Sequence, residues 1–135
     1  MIVFNYETDF IIDNEAELTT WISATIEEEE CSEGDINYIF CDDEYLHKLN
    51  VEFLNHDTLT DIISFDYSVG KQLHGDIYIS IERVQDNAVD FNTVLENELH
   101  RVIIHGILHY CGYKDKTDSE AKLMRSKEDY YLSKL

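Results

Sequence analysis

One short segment constrains this chain more than any other: residues 105–116, which read H-G-I-L-H-Y-C-G-Y-K-D-K. Histidines at 105 and 109 lie about 40° from each other around an α-helix, so both imidazoles project from one helix face and can bind one metal ion. Gly112 tolerates the left-handed backbone that ends a helix, and Asp115 follows three residues later. The segment therefore predicts a helix with two metal ligands, His105 and His109, and a turn that returns Asp115 as a third.

The spacing of this segment matches the H-E-x-x-H-x-x-G-x-x-H layout of one class of zinc peptidases. Gly106 stands where those peptidases have the glutamate that serves as general base, and a residue without a side chain cannot accept a proton. The pattern therefore argues against a protease. Asp115 replaces the usual third histidine with a hard oxygen donor, which zinc accepts but which favours harder ions. The pair alone also allows a simpler interpretation, that of two ordinary, partly buried helix histidines.

The composition is typical of one globular domain spanning residues 1–135, with 44% hydrophobic residues. Neither an apolar run behind basic residues nor a window long enough to cross a membrane is apparent in the sequence. Three cysteines without a C-x-x-C motif fit a reducing compartment. We therefore expect a cytoplasmic protein without a membrane partner.

The formal net charge of −19 is unevenly distributed. Residues 1–100 contain 24 acidic and three basic side chains, whereas residues 101–135 contain five acidic and seven basic ones. Most of the surface would repel a polyanion, because nucleic-acid affinity comes largely from neutralising phosphates. The motif segment lies in the only part of the chain that is not acidic.

Periodicity predicts an α+β fold: a mixed sheet of about four strands covered by helices, with a zincin-like metal-binding helix on one sheet face. The strands are expected at residues 2–6, 36–41, 62–65 and 76–81, with a polar turn over residues 55–60. Gly34 is expected to interrupt the chain before the second strand. Two capping boxes, Thr93 with Glu96 and Thr117 with Glu120, are expected to open the motif helix and the last helix.

The motif resembles the YbeY family of bacterial metal-dependent endoribonucleases, whose pattern is H-G-x-L-H-x-x-G-Y-D-H. The resemblance extends over roughly residues 36–130 and includes further short matches. These are Leu49-Asn50, residues 60–65 (T-D-I-I-S-F), Gly75-Asp76-Ile77, Met124 and Glu128. Asp115 stands at the position of the family's third histidine, Lys114 at that of its aspartate, and Leu54 at that of an arginine.

The resemblance implies that His105, His109 and the residue at position 115 hold one divalent metal ion, most often zinc. It also implies cleavage of single-stranded RNA, maturation of the small-subunit ribosomal RNA 3′ end and ribosome quality control. RNA and the ribosome would then be the partners.

We expect metal-assisted phosphodiester hydrolysis, in which the ion polarises a phosphate oxygen. Asp61 or Asp76 would orient a ligand or the attacking water. Arg101, Lys114 and Lys116 are the nearest cations in sequence that could bind a phosphate. Two alternatives stay open: a ribosome-assembly binding module with weak or no nuclease activity, and a metal hydrolase acting on a small or uncharged substrate. The sequence leaves the oligomeric state open.

Overall fold

The chain forms a four-stranded sheet with helices on both faces, in a computed structural model that describes residues 1–55 and 60–135. In chain order the elements are β1 (Ile2–Tyr6), α1 (Glu15–Glu28), β2 (Ser32–Cys41), α2 (Asp43–Leu54), β3 (Ile62–Asp66), β4 (Gln72–Ser80), α3 (Ile81–Asp90), α4 (Leu95–Tyr110) and α5 (Asp118–Leu132). The middle of the polar turn expected over residues 55–60 lies outside the described residues.

The sheet is mixed, with strand order β1-β2-β4-β3. Strands β1, β2 and β4 are parallel, and β3 pairs with β4 in the antiparallel sense. This confirms the expected α+β architecture with a mixed sheet of four strands. Strand β2 begins earlier than expected, at Ser32, and Gly34 lies within it. The polar start of β2 shows no alternation of apolar residues, but it pairs with the start of β4, where Ser32 is opposite Gln72.

The main hydrophobic core lies between one sheet face and helices α1, α4 and α5. A smaller cluster under α2, formed by Cys41, Leu46 and Ile63, lies on the opposite face. Leu18, Trp21 and Ile22 recur at helical spacing and form the buried face of α1. Trp21 donates a hydrogen bond of 2.8 Å from Nε1 to the carbonyl oxygen of Tyr131 on α5. Helices α1 and α5 are therefore fixed to each other as well as to the sheet.

Helix α4 packs closely on the sheet because Gly106 has no side chain. A Cβ at this position would lie 3.1 Å from Cδ1 of Ile77 on β4 and 3.3 Å from Cδ1 of Ile62 on β3. One turn before Gly106, the carbonyl oxygen of Ile103 accepts a hydrogen bond of 2.9 Å from the hydroxyl of Tyr38 on β2. The glycine that argues against a protease is therefore also a packing residue that brings the motif helix against two strands.

The start of α4 differs from the expected capping box. The N-cap is Val94, and no side chain caps the helix there. Thr93 instead ends α3: its backbone N–H donates to the carbonyl oxygen of Ala88 at 2.9 Å, after Asn92 adopts a left-handed backbone with φ of 58°. The second expected box is confirmed, because Thr117 caps α5 and the side chain of Glu120 accepts from the Thr117 N–H.

Candidate metal centre and the adjoining cavity

The end of α4 returns the chain towards the two motif histidines. Gly112 has φ of 109°, a left-handed value that favours glycine, and the N–H of Tyr113 donates to the carbonyl oxygen of Leu108 at 3.0 Å. This turn directs the following residues back along the helix. It brings Asp115 beside His105 and His109.

These three residues form a group whose donor atoms all lie within 4.8 Å of one another. Oδ2 of Asp115 is 3.3 Å from Nε2 of His105 and 3.4 Å from Nε2 of His109. The two imidazole planes are nearly perpendicular, at 85°, with ring centroids 4.5 Å apart. Two imidazole nitrogens and one carboxylate oxygen that converge in this way match the three protein ligands of a catalytic metal site.

The tautomer of each histidine is determined by the partner of its other ring nitrogen. Nδ1 of His109 is 2.9 Å from the carbonyl oxygen of Tyr113, which can only accept, so this nitrogen carries the proton. Nδ1 of His105 is 2.6 Å from Oε2 of Glu128. Both Nε2 atoms are therefore free to act as ligands, so the residues present fit a divalent metal ion.

Glu128 is a buried carboxylate on α5 that holds two groups of α4. Besides His105, it accepts from Arg101 at 2.9 Å, and Arg101 also donates to Asp129 at 2.7 Å. Burial acts to lower the pKa of His105, but the hydrogen bond and charge of Glu128, with the charge of Asp115, outweigh it and raise that pKa above its usual value. Glu128 therefore supplies negative charge next to the candidate ligand.

A cavity of about 270 Å³ opens beside the cluster. Its lining includes His105 and Asp115 together with Asp61, Arg101 and Arg125. The carboxylate of Asp61 accepts a hydrogen bond of 3.4 Å from the Asn87 side chain, and burial raises its pKa above the usual value. The structure thus brings Asp61 and Arg101 to the same cavity as the expected ligands.

The other expected residues lie elsewhere. Asp76 is on the sheet face opposite α4, because its neighbour Ile77 packs against Gly106, and its side chain accepts from the Asn37 amide at 3.1 Å. Lys114 and Lys116 flank Asp115 and are exposed, and neither lines the cavity. The structure therefore does not bring these three residues together with Asp61 and Arg101.

Comparison with known proteins assigns the family. The model of the family described as Endoribonuclease YbeY matches residues 3–135. The chain belongs to the YbeY family.

Curated relatives support this membership along most of their length. A YbeY endoribonuclease of Flavobacterium johnsoniae is 70% identical over 129 residues, which cover 96% of this chain and 93% of the relative. One from Flavobacterium psychrophilum is 64% identical over 132 residues, covering 98% of this chain and 94% of the relative. Both carry the name Endoribonuclease YbeY.

The YbeY membership agrees with the fold. A solution structure of a Thermotoga maritima protein matches with a TM-score of 0.68 and 28% sequence identity, covering 98% of this chain and 87% of the other. None of the helices in the described parts of the chain is long and apolar enough to span a membrane.

Three groups beside His105, His109 and Asp115 were not predicted from the sequence to belong to the site. Glu128 was noted only as one of the short matches to the YbeY family, and the sequence indicated no role for Arg125 or for the Tyr113 carbonyl oxygen. Glu128 follows the first ligand by 23 residues on another helix, so spacing within the motif could not indicate its contact. A backbone carbonyl carries no signal in residue type, although the helix-ending glycine at 112 does indicate that the chain turns back there.

Proposed function

We propose that this chain is a metal-dependent endoribonuclease that cleaves single-stranded RNA. The observation that carries the proposal is the convergence of His105, His109 and Asp115, with both Nε2 atoms free for coordination. The relatives' name, Endoribonuclease YbeY, supplies the reaction class.

His105, His109 and Asp115 would hold one divalent ion, with zinc proposed because two imidazoles and a carboxylate are a common zinc ligand set. When bound, such an ion supplies a Lewis acid that stabilises negative charge on a phosphate oxygen. Glu128 and the Tyr113 carbonyl oxygen would keep the two imidazoles oriented, through the hydrogen bonds already described.

Residues of the adjoining cavity would handle the substrate. Asp61 would orient an attacking water, since its carboxylate lines the same cavity as His105 and Asp115. Arg125 would bind a phosphate, because its side chain is 59% exposed and its one ion pair within residues 1–55 and 60–135, with Glu128, is long at 4.0 Å. Arg101 is held more tightly by two carboxylates, so its main role would be to position Glu128.

The finer assignments are also proposals. Maturation of the small-subunit ribosomal RNA 3′ end, ribosome quality control, the ribosome as partner and a cytoplasmic location are supported by the family resemblance. Lys114 and Lys116, exposed on the loop that carries Asp115, would add weak attraction for the strand. No role is proposed for Asp76, given its position on the opposite sheet face.

The test measures metal content and RNA cleavage in the same preparations. We expect about one ion per chain in the native protein and loss of that ion in Asp115→Ala. Asp118→Ala, which removes an exposed carboxylate three residues further on, serves as the matched control and should keep the ion. The metal-loaded native protein should cleave single-stranded RNA internally, and His109→Ala should not.

Two results would overturn the proposal. Metal content unchanged in Asp115→Ala would show that the three-residue site is wrong. Native protein that binds metal but leaves RNA intact would leave a metal hydrolase of another substrate or a binding module.

A further inference from the structure

A second cavity continues from the metal-site cavity along the amino-terminal half of α4. It has a volume of about 540 Å³, within the usual range for ligand sites, and shares Glu98, Arg101 and Arg125 with the smaller one. Phe91, at the end of α3, and Asn97 also line it. The proposed function does not use this larger cavity.

Glu98 is the residue here that calls for a ligand. It is only 7% exposed, yet its carboxylate makes neither a hydrogen bond nor an ion pair with the residues that the structure describes. At this depth the Glu98 carboxylate keeps only part of its hydration, through the cavity that it lines, and no donor of the protein replaces the part that is lost. Burial raises the pKa of Glu98, and the nearby charges of Arg101 and Arg125 do not restore the usual value. A ligand with N–H donors would satisfy this carboxylate.

Phe91 supplies a second, independent indication. Its side chain is 60% exposed although it lines a largely polar groove. Exposed aromatic rings in such grooves are the usual platforms on which unpaired bases stack. A flat ligand that offers N–H groups along one edge would use both Phe91 and Glu98.

The position along α4 relates this groove to the metal centre. Glu98 precedes His105 by seven residues, which on a helix is a rise of about 10 Å with a rotation of only about 20°. Nucleotides repeat at about 3.4 Å in a stacked strand. If one phosphate lies at His105, His109 and Asp115 and the strand follows α4, the base about three nucleotides away lies at Glu98.

We propose that this groove binds one unpaired guanine base of the RNA strand, with Glu98 as acceptor and Phe91 as stacking surface. The proposal rests on the endoribonuclease function. A base is favoured over a phosphate because three carboxylates, those of Glu17, Glu96 and Glu98, line the groove and would repel an anion. Of its two arginines, Arg101 is already paired with Glu128 and Asp129. Arg125 also lines the metal-site cavity, where it is proposed to bind the phosphate. Guanine is the base whose Watson–Crick edge offers two adjacent N–H donors, which match the two oxygens of a carboxylate.

The test measures binding of short, fluorescently labelled uridine-rich RNAs that carry one guanosine, adenosine or inosine. Anisotropy is recorded without metal, so that no cleavage occurs. Native protein should bind the guanosine RNA about 10-fold more tightly than the adenosine RNA, the order expected for a bidentate contact. The inosine RNA should lose most of this preference, because inosine lacks the exocyclic amine, and this comparison changes nothing in the protein.

Two variants locate the contact. Glu98→Gln should remove the preference for guanosine, whereas Glu52→Gln, which removes an exposed charge from α2 on the opposite sheet face, should keep it. Phe91→Ala should weaken binding of the guanosine and adenosine RNAs by a similar factor, roughly 5- to 150-fold.

Equal binding of the three RNAs by native protein, or a preference that survives in Glu98→Gln, would overturn the guanine site. No measurable binding of any of the three would overturn it as well. Cleavage by the metal-loaded protein is scored separately: a guanosine preference without cleavage overturns the endonuclease function alone, and cleavage without a preference overturns the base site alone.

Discussion

Oε2 of Glu128 lies 2.6 Å from Nδ1 of His105, so a buried carboxylate of α5 fixes the orientation of a candidate metal ligand on α4. The packing of α5 on α4 therefore contributes to the site as well as to stability. Arg101 lies on the other side of the same carboxylate and balances its charge. The candidate metal centre thus depends on a helix that begins after the motif has ended.

The first prediction concerns this outer contact. Replacing Glu128 by glutamine keeps its shape and an acceptor oxygen but removes the negative charge beside His105. We expect the affinity for zinc to fall by about 10-fold, the lower end of the effect usual for partners of metal ligands. Competition with a chromophoric chelator measures this directly.

Asp129→Asn is the matched control, because Asp129 also pairs with Arg101 but does not contact His105. Its zinc affinity should stay near the native value. Equal losses in the two variants would mean that the pairing of Arg101, rather than the carboxylate on His105, governs the site.

The second prediction concerns metal preference. Asp115→His would give three imidazole ligands, which suit zinc better than manganese. The ratio of the manganese dissociation constant to that of zinc should therefore rise severalfold. Paired titrations of the native and variant proteins with both ions measure the ratio, and a fall in it would contradict the role of Asp115 as the oxygen ligand.

Much of the fold was accessible from local patterns. Ile2, Phe4 and Tyr6 alternate with Val3 and Asn5, and the structure confirms the strand expected at residues 2–6. Leu18 and Trp21, three residues apart, lie on the buried face of α1, so their spacing carries the same kind of information for a helix. The start of β2 was missed because its pairing with β4 is made by backbone groups, which no residue pattern records. The N-cap of α4 was predicted at the wrong residue, because Thr93 ends α3 and does not cap α4. The local sequence does not indicate which of the two helices Thr93 will serve.

The candidate site was likewise predictable from the sequence only in part. His105, His109 and Asp115 lie within eleven residues, and helix geometry with one glycine turn is sufficient to bring them together. Asp76 was expected, like Asp61, to orient a ligand or the attacking water, but alternation along β4 directs Asp76 to the other face of the sheet. Which face a strand turns towards α4 is set by tertiary packing, so this distinction required the structure.

The third prediction concerns the turn after α4. Gly112→Ala forces a φ of 109° on a residue with a Cβ, and we expect the free energy of unfolding to fall by about 1–3 kcal/mol. Zinc affinity should fall as well, because the Tyr113 carbonyl oxygen would no longer be held at Nδ1 of His109. Gly70→Ala is the matched control, since φ at Gly70 is also left-handed, at 60°, in the turn between β3 and β4, which contributes no residue to the ligand cluster or its cavity. Urea unfolding and zinc titration of both variants separate the two effects, and a loss of zinc affinity in Gly70→Ala equal to that in Gly112→Ala would contradict the local explanation.

The last prediction concerns stability against acid. Glu29 accepts from the Tyr113 hydroxyl at 2.7 Å and also from the Tyr131 hydroxyl, which joins the end of α1 to the turn after α4 and to α5. Burial alone would raise the pKa of Glu29, but these hydroxyls and the charge of Lys127 outweigh it, and the pKa lies below the usual 4.5. A carboxyl whose pKa is lowered on folding adds stability that is fully present above its unfolded value and is lost as the pH falls through the folded one.

We therefore expect Glu29→Gln to lower the free energy of unfolding by about 1.5–3 kcal/mol at pH 7, the range for hydrogen bonds to a charged group. The difference from native protein should shrink as the pH falls below about 4.5, because the native carboxyl becomes protonated as well. Urea unfolding at a series of pH values measures this, with Glu27→Gln, an exposed position on the same helix, as the control. A difference that stays constant down to pH 3 would contradict this explanation, because it would show that the loss of stability in Glu29→Gln does not depend on the charge of the native carboxylate.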